Sequence, residues 1–306
     1  MLSPALQRAA AKAAVLSTCY CAVSGAALPL PTMNHHVRLL RKAIRLAFGQ
    51  RTISIRGEGG LPLRFPPAEY PSLLLGLRTF EPELKKRWQA MLSPGEVIFD
   101  IGANIGLTVQ RFHAILPGQC NVFAFEPLPR NLKLLRQNVD GLNRCVHVIA
   151  SAVGNETGQI QFEDNLNHGA LSRIHRFTAT PENERSFWTQ TNHVKVDVVT
   201  LDRFCAEHSD TAPTFVKLDV EGAGHLVLQG ATAVVNRHKP AWSCSFHSAE
   251  ERNGIIQSLS SHGYRGIQLT PGGSLSWCGL DETTEFGHPD SVRTAALIER
   301  FVIVRA

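Results

Sequence analysis

"VIFDIGANIG", residues 97–106, runs from an apolar segment straight into a turn, with a carboxylate, Asp100, near the end of the apolar run and glycines at 102 and 106. A short apolar run bounded by turn residues reads as a buried strand. The chain beyond it keeps alternating. The pattern predicts strands at 97–101, 121–126, 145–150, 214–219, 241–246, 264–269 and 300–305. Between them it predicts helices at 105–116, 128–139, 200–207, 224–236 and 249–261. Such alternation marks an α/β protein, here with a seven-stranded, mostly parallel sheet and helices on both faces. In an open parallel sheet the ligand crevice lies beyond the carboxyl ends of the strands, so Asp100 to Gly106 stands at a ligand site.

The two glycines permit a tight turn and close backbone approach, which a phosphate at the following helix N-terminus could also exploit. Spacing alone is therefore ambiguous. Asp100 would repel a pyrophosphate but suits an ammonium group or ribose hydroxyls. The run is also G-x-N-x-G, not the G-x-G-x-x-G of dinucleotide sites. A second acid, Glu126, closes the next strand in "VFAFEP", where a carboxylate can accept from both hydroxyls of a ribose, and Pro127 turns the chain out of the strand. Together the two acids describe a nucleoside site with a cationic end.

"DIGANIG" (100–106), "FEP" (125–127), "SAVG" (151–154) and "FVKLDVEG" (215–222), in this order, resemble the FkbM family of S-adenosylmethionine-dependent methyltransferases. The resemblance runs from Glu81 to His247 and includes the approach "FEPEL" and the stretch "VDVVTLDRF". It implies a Rossmann-like class I methyltransferase fold with S-adenosyl-L-methionine as cofactor. It places Asp100, Gly102, Ala103, Asn104 and Gly106 around the methionine end, Glu126 and Pro127 at the ribose, and Ser151 and Ala152 near the adenine. Asp219 would flank the methionine moiety and the transferred methyl, with Glu221 and Gly222 shaping the next turn.

A sulfonium carries an electrophilic methyl and needs an aligned nucleophile whose proton is accepted. His247, in "SCSFHS", is the first choice of base, with Asp219 and Glu221 from the adjacent strand end; the other reading is a structural histidine bonded to a backbone carbonyl. Many family members carry an acid where this chain has Ser245, which can orient substrate by hydrogen bonding. "DNLNHGALSR" (164–173) supplies Asn165, Asn167, His168, Ser172 and Arg173 as acceptor contacts, although an ordinary solvated loop has the same composition. No H-x-x-x-H spacing suggests a metal. The resemblance favours O-methylation of a hydroxyl on a saccharide or secondary metabolite, and the lack of an N-P-P-Y tetrapeptide argues against base amines. The alternatives are a nucleoside-binding regulatory protein without turnover, an NAD-type oxidoreductase on a similar sheet, and, more narrowly, a nucleic-acid methyltransferase.

Composition sets the outer bounds. With 43% hydrophobic and 19% charged residues over 306 positions, the chain is a globular protein, and its +5 charge is too mild and scattered to indicate nucleic acid. Seven cysteines without a C-x-x-C pair exclude a disulfide scaffold or zinc finger and suit a reducing, cytoplasmic compartment. Residues 1–72 read as an amino-terminal extension and 73–306 as the methyltransferase domain. Within the extension, "AAVLSTCYCAVSGAALPL" (13–30) follows Arg8 and Lys12; it reads as an alanine-rich leader in preference to a cleaved signal, and is too short and polar to span a bilayer. Residues 34–50 form a basic amphipathic helix that could touch a membrane surface peripherally, with packing on its own domain the more frequent outcome. The Gly- and Pro-rich 51–72 reads as a lead-in with room for a hairpin, and 73–95 as helical on both sides of Pro82. Residues 154–165 suggest a hairpin about Asn155 to Gly158. The polar stretch 164–191 reads as a lid, a substrate wall or a disordered excursion, and 270–291 as a long connection before the last strand.

Overall fold

A computed structural model describes residues 35–75, 77, 81–142, 144–165, 173–174, 191–208 and 211–299. In chain order the elements are α1 (His35–Phe48), β1 (Ile53–Arg56), β2 (Pro62–Phe65), α2 (Pro82–Met91), β3 (Glu96–Ile101), α3 (Leu107–Ile115), β4 (Cys120–Phe125), α4 (Pro129–Val139), β5 (Val146–Ile149), β6 (Ala152–Val153) and β7 (Gly158–Asn165). There follow β8 (Arg173–Ile174), β9 (Thr191–Val199), α5 (Leu201–Glu207), β10 (Phe215–Leu218), α6 (Gly224–Gln229), β11 (Ala241–Cys244), α7 (Ala249–Ser261), β12 (Arg265–Leu269), β13 (Leu275–Cys278), β14 (Glu285–Gly287) and α8 (Val292–Glu299).

The central sheet has the order β13-β12-β14-β11-β10-β3-β4-β5. The five strands from β11 to β5 are mutually parallel; β14 runs antiparallel between β11 and β12, and β13 lies antiparallel on the outer edge. This is the Rossmann-like class I methyltransferase arrangement, with eight strands where the sequence suggested seven. The two unforeseen strands, β13 and β14, lie in the stretch that reads as a connection. They are four and three residues long, too short to show a period. The expected strand at 300–305 lies outside the described residues.

Alternating side chains of the parallel strands feed two cores. Ile98 and Val122 face one, with Trp88, Phe112 and Phe215. Phe99, Phe123 and Phe125 face the other, with Phe204, Val216 and Trp242. The Phe99 ring meets Phe123 and Phe125 edge-on at 5.4 Å and Phe204 at 5.6 Å. Each such buried ring contributes about 1.5–3 kcal/mol, which makes β3 and β10 a rigid platform for whatever stands at their carboxyl ends.

A second sheet, β6-β9-β7-β8, corrects two expectations. The strands flanking Asn155 to Gly158 do not pair as a hairpin: β9 runs between them, antiparallel to β7 from Gly158 to Asn165 and parallel to β6. Val194, Val196 and Val198 alternate along β9 with the period of two of a half-buried strand. The polar stretch 164–191 therefore begins and ends in strand, with 166–172 and 175–190 outside the described residues. The helix expected over 224–236 stops at Gln229, because Gly230 packs on the backbone of Gly154; a Cβ there would fall 2.1 Å from the Gly154 carbonyl oxygen. A π-helical turn, Val234–His238, follows.

The lead-in does form a hairpin, β1 on β2. The hairpin and the segment after it pack Leu63, Phe65, Tyr70 and Leu73 with Ile105 and Leu107, which flank the Gly106 that caps α3. Ahead of Pro82 the described residues hold a 3-10 turn, Pro71–Leu75, not an α-helix, and α2 begins at Pro82 itself.

Candidate active site

The turn after β3 is built by backbone. Gly102, Asn104 and Gly106 all have positive φ, at 81°, 51° and 89°. A Cβ on Gly102 would stand 2.0 Å from the Asp219 carbonyl oxygen, so the turns after β3 and β10 touch main chain to main chain. On Gly106 it would stand 2.8 Å from Leu135 of α4. The Gly102 and Ala103 amides both donate to the Phe125 carbonyl at 3.0 Å, and Tyr70 donates to Asn104 Oδ1 at 2.6 Å. Strand β4 and the amino-terminal hairpin thus hold the turn from two sides.

Glu126 is buried at the end of β4. Its Oε2 accepts from the Asn104 amide at 3.0 Å, and its Oε1 from the Leu128 amide at 2.9 Å and Asn131 Nδ2 at 3.3 Å. Burial pushes its carboxyl up to about 7, against those three donors, which favour the ionised form. Pro127 follows, ahead of α4. Ser151 is half-buried in the link from β5 to the second sheet, and Ala152 is buried at the start of β6.

Asp100 is fully buried and meets its partners inside the protein. In the β3–β10 register it sits opposite Lys217, whose Nζ lies 3.1 Å from its Oδ1, and Thr108 donates to its Oδ2. Lys217 also donates to the Gly102 carbonyl at 2.8 Å and lies 3.5 Å from Asp219 Oδ2. Burial pulls Lys217 down, but Asp100 and Asp219 outweigh it and hold the ammonium above its ordinary range. Asp100 therefore reaches the crevice through Lys217.

Beyond β10 and β11 the site is a cluster of charges. His247 Nε2 lies 3.3 Å from Asp219 Oδ1 and 3.6 Å from Glu221 Oε1, while its Nδ1 lies 3.3 Å from Glu251 Oε2. Burial lowers the imidazole, yet Glu221, Asp219 and Glu251 outweigh it and hold His247 well above its usual value. Burial raises Asp219, yet Lys217 and His247 hold it well below the usual carboxylate range. Ser245 is fixed nearby by its amide, which donates to the Leu218 carbonyl at 2.8 Å.

Three sequence-predicted residues thus meet directly: His247, Asp219 and Glu221. Of the expected acceptor contacts, Asn165 ends β7 opposite Thr191 and Arg173 opens β8. Asn167, His168 and Ser172 lie outside the described residues.

The structure adds four residues. Lys217, inside the apolar strand "FVKL", carries a signal that was available: a charge in a buried strand requires a partner. Glu251 hides in Ser248-x-x-Glu251, which reads as a helix cap. Tyr70 has no local signal. Glu81 precedes Pro82 at φ 46°, 3.6 Å from the fully buried Arg111. Burial, then the nearby Asp219 charge, raise its carboxyl against Arg111 and Lys217, so a further carboxylate faces this cluster.

Residues 100–265 match the family model described as the methyltransferase FkbM domain. The chain is 28% identical over 149 residues to the 2-O-methyltransferase NoeI of Sinorhizobium fredii, covering 47% of this chain and 60% of that protein. It is 30% identical over 158 residues to the 31-O-demethyl-FK506 methyltransferase FkbM of Streptomyces tacrolimicus, covering 45% and 60%. The chain thus spans about three-fifths of the length of these two curated relatives. A crystal structure of a methyltransferase FkbM from Methylobacillus flagellatus superposes with a TM-score of 0.45 at 20% identity, covering 71% of this chain and 53% of that one.

Proposed function

The chain belongs to the FkbM methyltransferase family, and on that premise we propose that it transfers a methyl group from S-adenosyl-L-methionine to a hydroxyl of a saccharide or secondary metabolite. The observation that carries this reading is the turn from Asp100 to Gly106, whose three positive-φ residues hold its main chain at the carboxyl end of β3 against the turn after β10, beside a buried carboxylate at the next strand end. The donor set fits the cofactor. Glu126 suits ribose hydroxyls, the backbone turn suits the amino-acid portion, and the part-exposed carboxylates of Asp219 and Glu81 suit an ammonium and a sulfonium. Ser151 and Ala152, which follow β5, are assigned to the adenine. We assign 73–306 as the methyltransferase domain and 1–72 as an extension whose hairpin seats on the turn.

When bound, the cofactor supplies an electrophilic methyl on a sulfonium. The chain's part is to exclude water, align the acceptor oxygen and take its proton. The rigid ends of β3, β4 and β10 provide the alignment. The cluster of His247, Asp219 and Glu221 takes the proton, and Ser245 and Asn165 are assigned to the acceptor, as are His168 and Ser172 on sequence alone. A hydroxyl acceptor is supported by the two relatives, whose names both specify O-methyl transfer. The free cysteines at 120, 145, 205, 244 and 278 support a reducing compartment, and no helix among the described residues is long and apolar enough to cross a membrane.

Calorimetry tests the reading. Wild type is expected to bind S-adenosylmethionine at micromolar strength without competition from NAD, and Glu126→Gln to weaken binding about tenfold or more, about 1.4 kcal/mol. A well-folded wild type that binds NAD instead, or neither compound, overturns it.

A further inference from the structure

Ser248 caps α7, accepting from the Glu251 amide at 3.0 Å. In the usual reciprocal cap the glutamate would reach back to the amide of the capping serine. Glu251 reaches elsewhere. Its Oε2 accepts from the amide of His247 at 2.8 Å and faces that ring's Nδ1, while its Oε1 accepts from the amide of Gly224 at 2.8 Å. The side chain is fully buried and joins three segments: α7, the turn after β11 and the start of α6. Gly224 makes the approach possible, since a Cβ there would lie 2.9 Å from Glu251 Oε1.

A buried carboxylate needs a counter-charge, and the cation that the described contacts bring to Glu251 is the imidazole. The opposite ring nitrogen faces two more carboxylates, Asp219 and Glu221, with Lys217 behind Asp219. A ring with carboxylates on both nitrogens donates from both and has no lone pair left for an incoming proton.

We infer that Glu251 is the positioning residue of this site: it occupies Nδ1 of His247 and aims Nε2 between Asp219 and Glu221, so that the acceptor's proton goes to a carboxylate of that pair and not to the imidazole. The inference rests on the methyltransferase reading and reverses the role expected of His247. In the transfer step the acceptor hydroxyl gives its proton to a carboxylate oxygen, its oxygen forms the bond to the methyl carbon, and the carbon–sulfur bond breaks with its electron pair leaving on sulfur. His247 keeps both protons throughout and holds the pair of acids in place.

The test is a nitrogen-15 NMR titration of the imidazoles in the full chain without ligand, with His247 assigned by the signal missing from His247→Gln. Wild-type His247 is expected to stay doubly protonated from about pH 6 to about pH 8, where ordinary histidines titrate around 6.5. Glu251→Gln is expected to bring its titration into that window, and Glu251→Asp to shift it less in the same direction. A purely structural cap would leave the ring's titration unmoved in a folded variant, and that result overturns the inference. So does a wild-type His247 that titrates with the others, an outcome that needs no variant to fold. Binding of S-adenosylhomocysteine, measured separately, reports on the methyltransferase reading: its failure would leave the titration result standing.

Discussion

The two sides of the crevice are made in different ways. On the β3–β4 side, position is set by main chain: three departures into positive φ at alternate residues, amides bonded to Phe125, and glycines where a methyl group would not fit. On the β10–β11 side it is set by charged side chains drawn from α3, β3, β10 and α7 and from the segments just before α2 and just after β10 and β11. The first construction tolerates a change of charge but no added atom. The second tolerates an added atom more readily than a missing charge, because each removal strands a partner away from water.

The contrast can be broken at three points. Lys217→Met removes the cation between Asp100 and Asp219 while keeping most of its volume. Leaving Asp100 buried without its partner is expected to cost about 3–5 kcal/mol of stability in denaturant unfolding. A cost near zero would show that the ion cluster is not a fixed structure. Gly102→Ala adds one methyl group on the other side, combining the left-handed penalty of about 1–2 kcal/mol with a collision against the Asp219 carbonyl. A loss of about 3 kcal/mol is expected; a loss below about 1 kcal/mol would mean that the turn yields.

The third is a pH effect on Glu126, which belongs to both constructions. Its carboxyl, raised to about 7 by burial, ionises as pH rises through neutrality, and only the ionised form accepts from both ribose hydroxyls. Affinity for S-adenosylhomocysteine is expected to rise roughly tenfold between about pH 6 and about pH 8, and Glu126→Gln to abolish that dependence. The ligand-free protein should show the opposite sign: stability present below the ordinary carboxylate range is lost as pH climbs to 7, since the unfolded chain gives up that proton first. A flat affinity profile in wild type would remove Glu126 from the ribose.

The same contrast explains what could be read in advance. Main-chain turns leave local traces, because positive φ selects glycine and asparagine at fixed spacing, and so "DIGANIG" and "FEP" could be placed from the sequence. The five parallel strands were equally legible, their apolar runs being long enough to declare themselves. Short antiparallel strands such as β13 and β14 leave no period, whereas β9 carries one in the alternation of Val194, Val196 and Val198 with polar residues. The ion cluster leaves the weakest trace. His247 could be picked out, but its roles as base and as structural cation look identical until Glu251 is seen to reach its ring. Glu81 and Tyr70 become site residues only when α2 and the hairpin dock.

The placement of β3 also bears on how the protein is made. This strand lies at the middle of the sheet, yet Lys217, which neutralises its buried aspartate, follows the Gly102 it also contacts by 115 residues. At the far end of the same strand, Arg293 pairs with Glu96 and reaches the Met91 carbonyl across 202 residues. A ribosome adding about 5–20 residues per second leaves one edge of β3 without a neighbour for roughly ten seconds after it emerges. During that interval the segment 96–101 is an apolar strand with an open edge, the form most prone to pairing with another chain. Until Lys217 is added, Asp100 lacks the cation that stands opposite it in the finished sheet, so the strand and its counter-charge are completed together when β10 docks.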